Sequence, residues 1–330
     1  MINILLAFLI SFLISILLLP IIIKVFKKIN ASQTILSYVE NHKDKNGTPT
    51  MGGVVFIVTT LGLSFCFLRF NTIWFVNLLI GLFFGVLGLM DDYLKIKYKQ
   101  NLGLRPYQKI IGQVGISLIF AIFVYFNIGG KVFVPFVNLQ LDFGIFIIPF
   151  IMLVLIATTN SLNLTDGLDG LAGSVSMFYL VFFVAIISIL SNRLYFAGET
   201  GGVLNNIYSV QILSSLFIGS ILGFLMFNTS RASIFMGDAG SLCLGGFIGA
   251  SACIVGLEFL ILILGVCFVF SAVSVILQVV VFKLKHKRIF KMAPFHHHLQ
   301  MSGLSEPKIV AIYSATTISV GIICIILYLL

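Results

Sequence analysis

The sequence predicts an all-α polytopic membrane protein with about ten transmembrane helices. Its composition is 59% hydrophobic and only 9% charged, its mean hydropathy is +1.14, and its apolar residues gather in runs of bilayer-crossing length. A soluble domain carries about 25% charge, so hydrocarbon is the main solvent of this chain. No internal repeat, low-complexity tract or long polar linker divides residues 1–330, which are read as one domain.

The apolar runs lie near residues 4–23, 54–70, 73–90, 110–128, 143–159, 173–191, 209–227, 241–258, 259–282 and 309–330. The first, from Met1 to Pro20, has no basic n-region and no A-x-A-like cleavage site, so it is expected to be a retained span. The division within 241–282 is the least sharply marked. With ten crossings the termini share one side and the loops alternate.

Basic residues then orient the chain. One set of loops holds Lys24, Lys27, Lys28, Lys43 and Lys45, then Lys95, Lys97, Lys99, Arg105 and Lys109. It continues with Arg231 and with Lys283, Lys285, Lys287, Arg288, Lys291 and Lys308. The other set holds only Arg69, Lys131 and Arg193. The positive-inside rule makes the first set cytoplasmic and turns both termini outward. A net charge of +9 distributed in such clusters is a topology signal and an attraction to anionic lipid headgroups. Membrane lipids are therefore expected partners and nucleic acid is not. Cys66, Cys243, Cys253, Cys267 and Cys324 all fall in apolar runs, so they are expected to pack as small hydrophobes rather than form disulfides or a zinc site.

With this orientation, Asp91, Asp92, Asp166, Asp169, Asp238 and all five histidines fall in cytoplasmic loops. Asp91 and Asp92 follow the run ending at Met90, at an expected helix C-terminus, where the macrodipole disfavours carboxylates. They are either a functional pair or a solvated helix end offset by Lys95 and Lys99. The segment from Asn160 to Ala172 has no basic residue. If its turn is helical, Asn163, Asp166 and Asp169 share a face suited to a metal, a ribose or a base edge. Its plainer reading is an Asn/Asp/Gly turn capping the next span.

In the segment from Phe235 to Leu242, Asp238 and Ser241 sit among glycines at the start of a span, suited to a phosphate or a metal-bound carboxylate, or to simple capping. Pro294 to His298 supplies three adjacent histidines that could hold a metal or a phosphate, or else lie as amphipathic rings in an interfacial loop. Gly47 to Gly53 opens a span with glycines and threonines suited to a diphosphate, with Lys45 just before it. As a plain helix entry it would use Thr and Pro near the first turn. Several carboxylates with basic and hydroxyl groups on one face point to Mg²⁺ held by Asp and substrate phosphates. Oxygen ligands without a paired Cys/His scheme favour Mg²⁺ or Mn²⁺ over zinc.

TPTMGG, DDYLK, NLTDGLDGLA, FMGDAGS and PFHHH, in this order over essentially the whole chain, resemble the bacterial phospho-N-acetylmuramoyl-pentapeptide transferases, members of the polyprenyl-phosphate N-acetylhexosamine-1-phosphate transferase superfamily. The resemblance implies a multi-pass enzyme of the bacterial cytoplasmic membrane, often homodimeric and dependent on Mg²⁺. Its implied reaction moves phospho-MurNAc-pentapeptide from UDP-MurNAc-pentapeptide to undecaprenyl phosphate and releases UMP. It also implies that Asp238 is a metal ligand with a catalytic part, and that Asp91 and Asp92 are the catalytic pair and contribute to the metal site. Lys45, Thr50, Asn163, Asp166, Asp169, Asn228, Phe235, Gln278 and His297 would line the nucleoside pocket, with Phe235 stacking on uracil and Asp166 bonding its edge. His296 to His298 would border the sugar and diphosphate, His297 with a catalytic part, and Lys95 and Ser241 complete the substrate-binding set. Where the family usually continues with an acidic residue and then Trp, this chain has Gln300 and Leu304.

Two rival functions remain open to the sequence. A sister enzyme would use UDP-GlcNAc with the same lipid carrier, but the triple His and TPTMGG favour the muramoyl substrate. A secondary transporter would place ionisable groups mid-span, whereas here Glu258 alone comes near, at an expected outer boundary.

Overall fold

The computed structural model describes residues 2–29, 31, 47–98, 103–137, 139–199 and 201–330. Every predicted apolar run folds as helix, and among the described residues nine helices are long and apolar enough to cross a membrane. They are α1 (Ile2–Lys28), α3 (Thr72–Lys97), α4 (Pro106–Asn127), α5 (Ile147–Thr165), α6 (Leu171–Phe196), α7 (Gly202–Asn228), α8 (Gly237–Val255), α10 (Val266–Lys285) and α12 (Glu306–Leu329). The run at 54–70 becomes the shorter α2 (Val54–Phe67). Its 14 residues reach about 21 Å at 1.5 Å per residue, less than a ~30 Å hydrocarbon core.

The run at 259–282 is divided at Gly265 into a short α9 (Leu260–Leu264) and the long α10. The sequence marked that boundary poorly because both halves are equally apolar. Another short helix, α11 (Phe295–Gln300), carries the three histidines. Among the described residues the strands are those of a hairpin, β1 (Lys131–Val134) and β2 (Leu139–Asp142), antiparallel with Lys131 opposite Asp142. Val132 to Val134 form a short β-prone run closed by Pro135, a signal too brief to show as periodicity.

Helices α7 and α8 are almost wholly buried, whereas α1, α4, α10 and α12 keep broad apolar faces exposed. Lipid gives helices no hydrophobic drive to associate, so small residues must bring backbones into van der Waals contact. On α1, Ala7, Ser11, Ser15, Leu19 and Ile23 recur every fourth residue as the buried face. That face meets α7 at Gly219 and Gly223, and Ser11 Oγ donates to the Leu216 carbonyl.

The same device sets α3 and α5 antiparallel against α8. A Cβ on Gly88 would run into the Asp238 carbonyl, and one on Gly245 would lie 3.0 Å from the Thr158 carbonyl. Deeper in the bundle, Asn77 Nδ2 donates to Ser251 Oγ at 3.1 Å, tying α3 to α8. Helix α4 packs chiefly on α5 and touches α8 little.

At one end of the bundle, Asn3 Nδ2 donates to the Tyr208 hydroxyl and Phe136 packs on Tyr328 beside the hairpin. The ends of α3 and α5, and the starts of α4, α6 and α8, converge at the other.

Candidate active site

Helix α3 runs on to Lys97, so Asp91 and Asp92 lie within it rather than at its C-terminus, which corrects the sequence reading. The reason is the antiparallel contact at Gly88, which brings this stretch against the positive N-terminal end of α8. Asp92 Oδ2 accepts the Ala239 N–H at 3.1 Å, and Asp91 Oδ1 accepts the Leu104 N–H at 2.8 Å. Both are buried, so helix amides and loop amides replace the water they have lost.

Asp238 stands in the first turn of α8, after Gly237, whose φ of +74° suits glycine. It does not cap its own helix; its carboxylate is held from three other helices. Asn163 Nδ2 of α5 donates to Oδ1 at 2.9 Å, and Lys109 Nζ of α4 reaches Oδ2 at 2.6 Å. Lys95 Nζ of α3 lies 3.3 Å from Oδ2, 2.6 Å from Asp91 Oδ2 and 3.9 Å from Asp92 Oδ1. Ser241 Oγ donates to the Gly237 carbonyl and accepts a second bond from Asn163 at 2.9 Å.

Ligand oxygens of Asp91, Asp92 and Asp238 all lie within 4.8 Å of one another, so they could hold one metal ion. Three carboxylates face two ammonium groups here, and both ammoniums converge on Asp238 Oδ2. The site thus concentrates negative charge where hard oxygen donors meet, the chemistry that a small divalent cation requires.

The loop after α5 does not continue as helix, so Asn163, Asp166 and Asp169 do not form the single-faced ladder that a helical turn would give. Asn163 points to Asp238, Asp166 receives the Gly237 amide, and Asp169 Oδ2 accepts the Ala232 N–H at 3.2 Å. Burial, and then the charges of Asp238, Asp92 and Asp169, push the Asp166 carboxyl up to about 8. A neighbouring loop is locked by Asn228, whose Oδ1 accepts from Gly170 and whose Nδ2 donates to the Ile234 carbonyl at 2.8 Å. Its amide is thus engaged in joining two site loops.

The glycines of TPTMGG make a backbone contact within the protein. Gly52 and Gly53 donate their amides to the Phe235 and Met236 carbonyls, at 2.8 and 3.0 Å, and Phe235 donates to the Pro49 carbonyl. The segment is thereby zipped onto the loop preceding Asp238, because residues without side chains allow that approach. Thr50 is fully buried, and its Oγ1 makes no hydrogen bond beside Gly237. The Phe235 ring is half-buried at the same loop. Lys45, like Lys43 and Lys99, lies outside the described residues.

His296 is fully buried with neither ring nitrogen hydrogen-bonded, and its Nε2 abuts Gly167 next to Asp166. Burial and the adjacent His297 pull its imidazole down to about 3. His297 Nε2 would also meet a side chain at Gly167, and its Nδ1 lies 3.2 Å from Gln300 Oε1. Gln300 therefore contacts the central histidine. His298 faces elsewhere: its Nδ1 accepts the Lys291 N–H and its ring stacks on Phe295. Gln278 likewise spends its amide on a loop, accepting from Ile289 and Phe290 and donating to the Phe290 carbonyl.

Sequence reasoning missed Lys109 as a site residue. Its signal was present: Lys109, Gln113 and Ser117 follow an i, i+4, i+8 spacing along an otherwise apolar helix, a polar stripe in lipid that needs partners.

Residues 74–256 match the family described as Glycosyl transferase family 4, and residues 45–57 match the phospho-N-acetylmuramoyl-pentapeptide-transferase signature 1. A phospho-N-acetylmuramoyl-pentapeptide-transferase of Clostridium novyi (strain NT) is 43% identical over 315 residues, covering 94% of this chain and 91% of the relative. Proteins of the same name from Caldanaerobacter subterraneus subsp. tengcongensis and Clostridium botulinum (strain Alaska E43 / Type E3) are 39% and 40% identical. They cover 82% and 87% of this chain, and 81% and 83% of their own lengths.

Proposed function

The chain belongs to the phospho-N-acetylmuramoyl-pentapeptide transferase family of multi-pass bacterial membrane proteins, and from that premise we propose how it acts. It transfers phospho-MurNAc-pentapeptide from UDP-MurNAc-pentapeptide to undecaprenyl phosphate, releasing UMP and forming the first lipid-linked peptidoglycan precursor. The reaction proceeds at the cytoplasmic face with Mg²⁺, in a homodimer. The observation that carries this reading is the meeting of Asp91, Asp92 and Asp238 within 4.8 Å, against Lys95 and Lys109, at one end of the bundle.

Phosphoryl transfer leaves a protein mainly alignment and charge neutralisation to perform. Asp238 would hold the metal, with Asp91 and Asp92 beside it. Mg²⁺ so bound would neutralise the diphosphate and the departing UMP. Asn163, itself held by Ser241, fixes the Asp238 carboxylate in rotation, and Lys95 and Lys109 limit the repulsion that three carboxylates would exert on an incoming anion. The lipid phosphate attacks the sugar-linked phosphorus in line, and the bond to UMP breaks. Asp91 or Asp92 accepts any residual proton; with a second phosphate pKa near 6, little is left to remove at neutral pH.

Phe235 stacks on uracil and Asp166 bonds its edge. Thr50 enters from the TPTMGG side, Lys45 is assigned to the nucleoside pocket by the family resemblance, and His296 and His297 border the sugar and diphosphate. Asp169, Asn228, Gln278 and His298 hold the loops that present these groups.

The test is UMP release by purified protein from UDP-MurNAc-pentapeptide, with and without undecaprenyl phosphate and Mg²⁺, with UDP-GlcNAc assayed in parallel. Release that requires both additions and the muramoyl substrate is expected. Equal turnover of UDP-GlcNAc, or full release in excess EDTA, would overturn the substrate or the metal assignment respectively.

A further inference from the structure

One turn deeper than Asp238, α4 and α5 share a reciprocal pair of amides. Asn160 Nδ2 donates to Gln113 Oε1 at 2.8 Å, and Gln113 Nε2 donates to Asn160 Oδ1 at 3.4 Å. Gln113 is fully buried, and the second Asn160 proton goes to the Ile156 carbonyl at 2.7 Å. Gln113 lies four residues after Lys109 on α4, and Asn160 lies three before Asn163 on α5. Each amide therefore shares a helix face with a group that grips Asp238. The two grips close on opposite oxygens, Lys109 on Oδ2 and Asn163 on Oδ1.

These relationships differ in how firmly the fold holds them. Helix α5 is seated on α8 through Gly245 and Gly249, so Asn163 has a backbone reference close to Asp238. Helix α4 touches α8 little and leans mainly on α5, with a smaller contact on α3, so the position of Lys109 is inherited chiefly from the α4–α5 pairing. Apolar helix faces in lipid slide against one another at small cost, but a reciprocal amide pair has one register, because a slip of one residue breaks both bonds.

We propose that Gln113 and Asn160 are positioning residues, a clamp that fixes the register of α4 on α5 and thereby holds the Lys109 ammonium at Asp238. Neither touches the reacting groups. The proposal deepens the transferase reading and rests on it for its kinetic readout, while a distance readout stands apart from it.

Turnover and KM for UDP-MurNAc-pentapeptide are measured for Gln113→Leu, Asn160→Leu and the double variant, with thermal midpoints. The swap Gln113→Asn with Asn160→Gln conserves the combined length of the two side chains and is measured beside its single components. In a Cys66→Ser background, which leaves four buried cysteines, spin labels at exposed Tyr107 of α4 and Leu153 of α5 report the register of the two helices.

Each apolar single variant should lose about tenfold or more in kcat with KM little changed, since misplacing a group by about 1 Å can cost up to a hundredfold. The double variant should lose no more than either single, because the pair acts as one unit. The label distance should shift or broaden in the apolar variants, and the swap should return both kcat and distance toward wild type. Wild-type kcat in folded apolar variants, additive losses, or an unchanged label distance would overturn the clamp. Absence of transfer by the wild-type protein itself would instead overturn the transferase reading and leave the distance test to decide the clamp.

Discussion

Lys109 and Asp238 are 129 positions apart in the chain, and the Lys109 ammonium nevertheless lies 2.6 Å from Asp238 Oδ2. That contact joins the first turns of α4 and α8. It makes Asp238 a carboxylate gripped on both oxygens, with Asn163 on the other. A group so fixed loses little conformational freedom when it takes a ligand, which suits a site whose work is alignment.

Replacing Lys109 with Met removes one of two ammoniums that compete for the carboxylates. Turnover should fall on the order of tenfold to a hundredfold, while the Mg²⁺ concentration giving half-maximal rate should fall too, since a competing cation is gone. A Mg²⁺ titration of the variant reads both. A higher Mg²⁺ requirement would mean that Lys109 helps to build the metal seat rather than competing for it.

Asp238→Asn keeps the shape of the side chain and removes its charge. UMP release should fall on the order of a hundredfold or more, and Mn²⁺ binding followed by electron paramagnetic resonance should weaken, with the thermal midpoint near wild type. Near-normal turnover at saturating Mg²⁺ would reject Asp238 as the metal ligand.

His296 carries a pH signature. Its folded-state value is pulled down to about 3, below an ordinary histidine near 6.5, so the unfolded chain binds more protons between these values. Its stabilising contribution is complete above about pH 6.5 and is lost as pH falls toward 3, on the order of 2 kcal/mol by pH 5. His296→Asn cannot take up that proton, so its thermal midpoint should decline less steeply between pH 7 and 5. Parallel slopes for the two proteins would contradict this.

Gly88→Ala tests the contact on which the acidic cluster depends. A methyl group there runs into the Asp238 backbone, so about 1–3 kcal/mol of stability and most turnover should be lost. Gly62→Ala on α2, where a Cβ meets nothing within 4 Å, should be neutral or gain up to about 1 kcal/mol. Equal thermal midpoints for the two variants would show that α3 and α8 can separate freely.

The membrane-spanning helices were legible because a bilayer imposes length and hydropathy on each span independently of its neighbours. That is why the runs at 73–90 and 241–258 are recognisable as spans, although their helices extend on to Lys97 and back to Gly237. The same local logic exposed Asp91, Asp92, Asp166 and Asp238 as charges at the ends of apolar runs. It did not reveal β1 and β2, whose strands are too short for a periodic signal, or the break at Gly265, where both flanks are equally apolar. Nor did it show which segment approaches TPTMGG, whose Gly52 and Gly53 amides bond the loop before Asp238.

By itself, then, the chain's patterning determined a multi-pass helical protein and the set of polar residues that lipid would not tolerate without purpose. Which of those residues meet, and through which atoms, only the tertiary structure decided. Lys109 reaching Asp238, Asn163 turning away from Asp169, and Gln278 and Asn228 bracing loops all depend on helix pairings between segments far apart in sequence. Hydropathy is a property of each segment alone, whereas a pairing is chosen by the fit of small residues and side-chain hydrogen bonds on two surfaces at once.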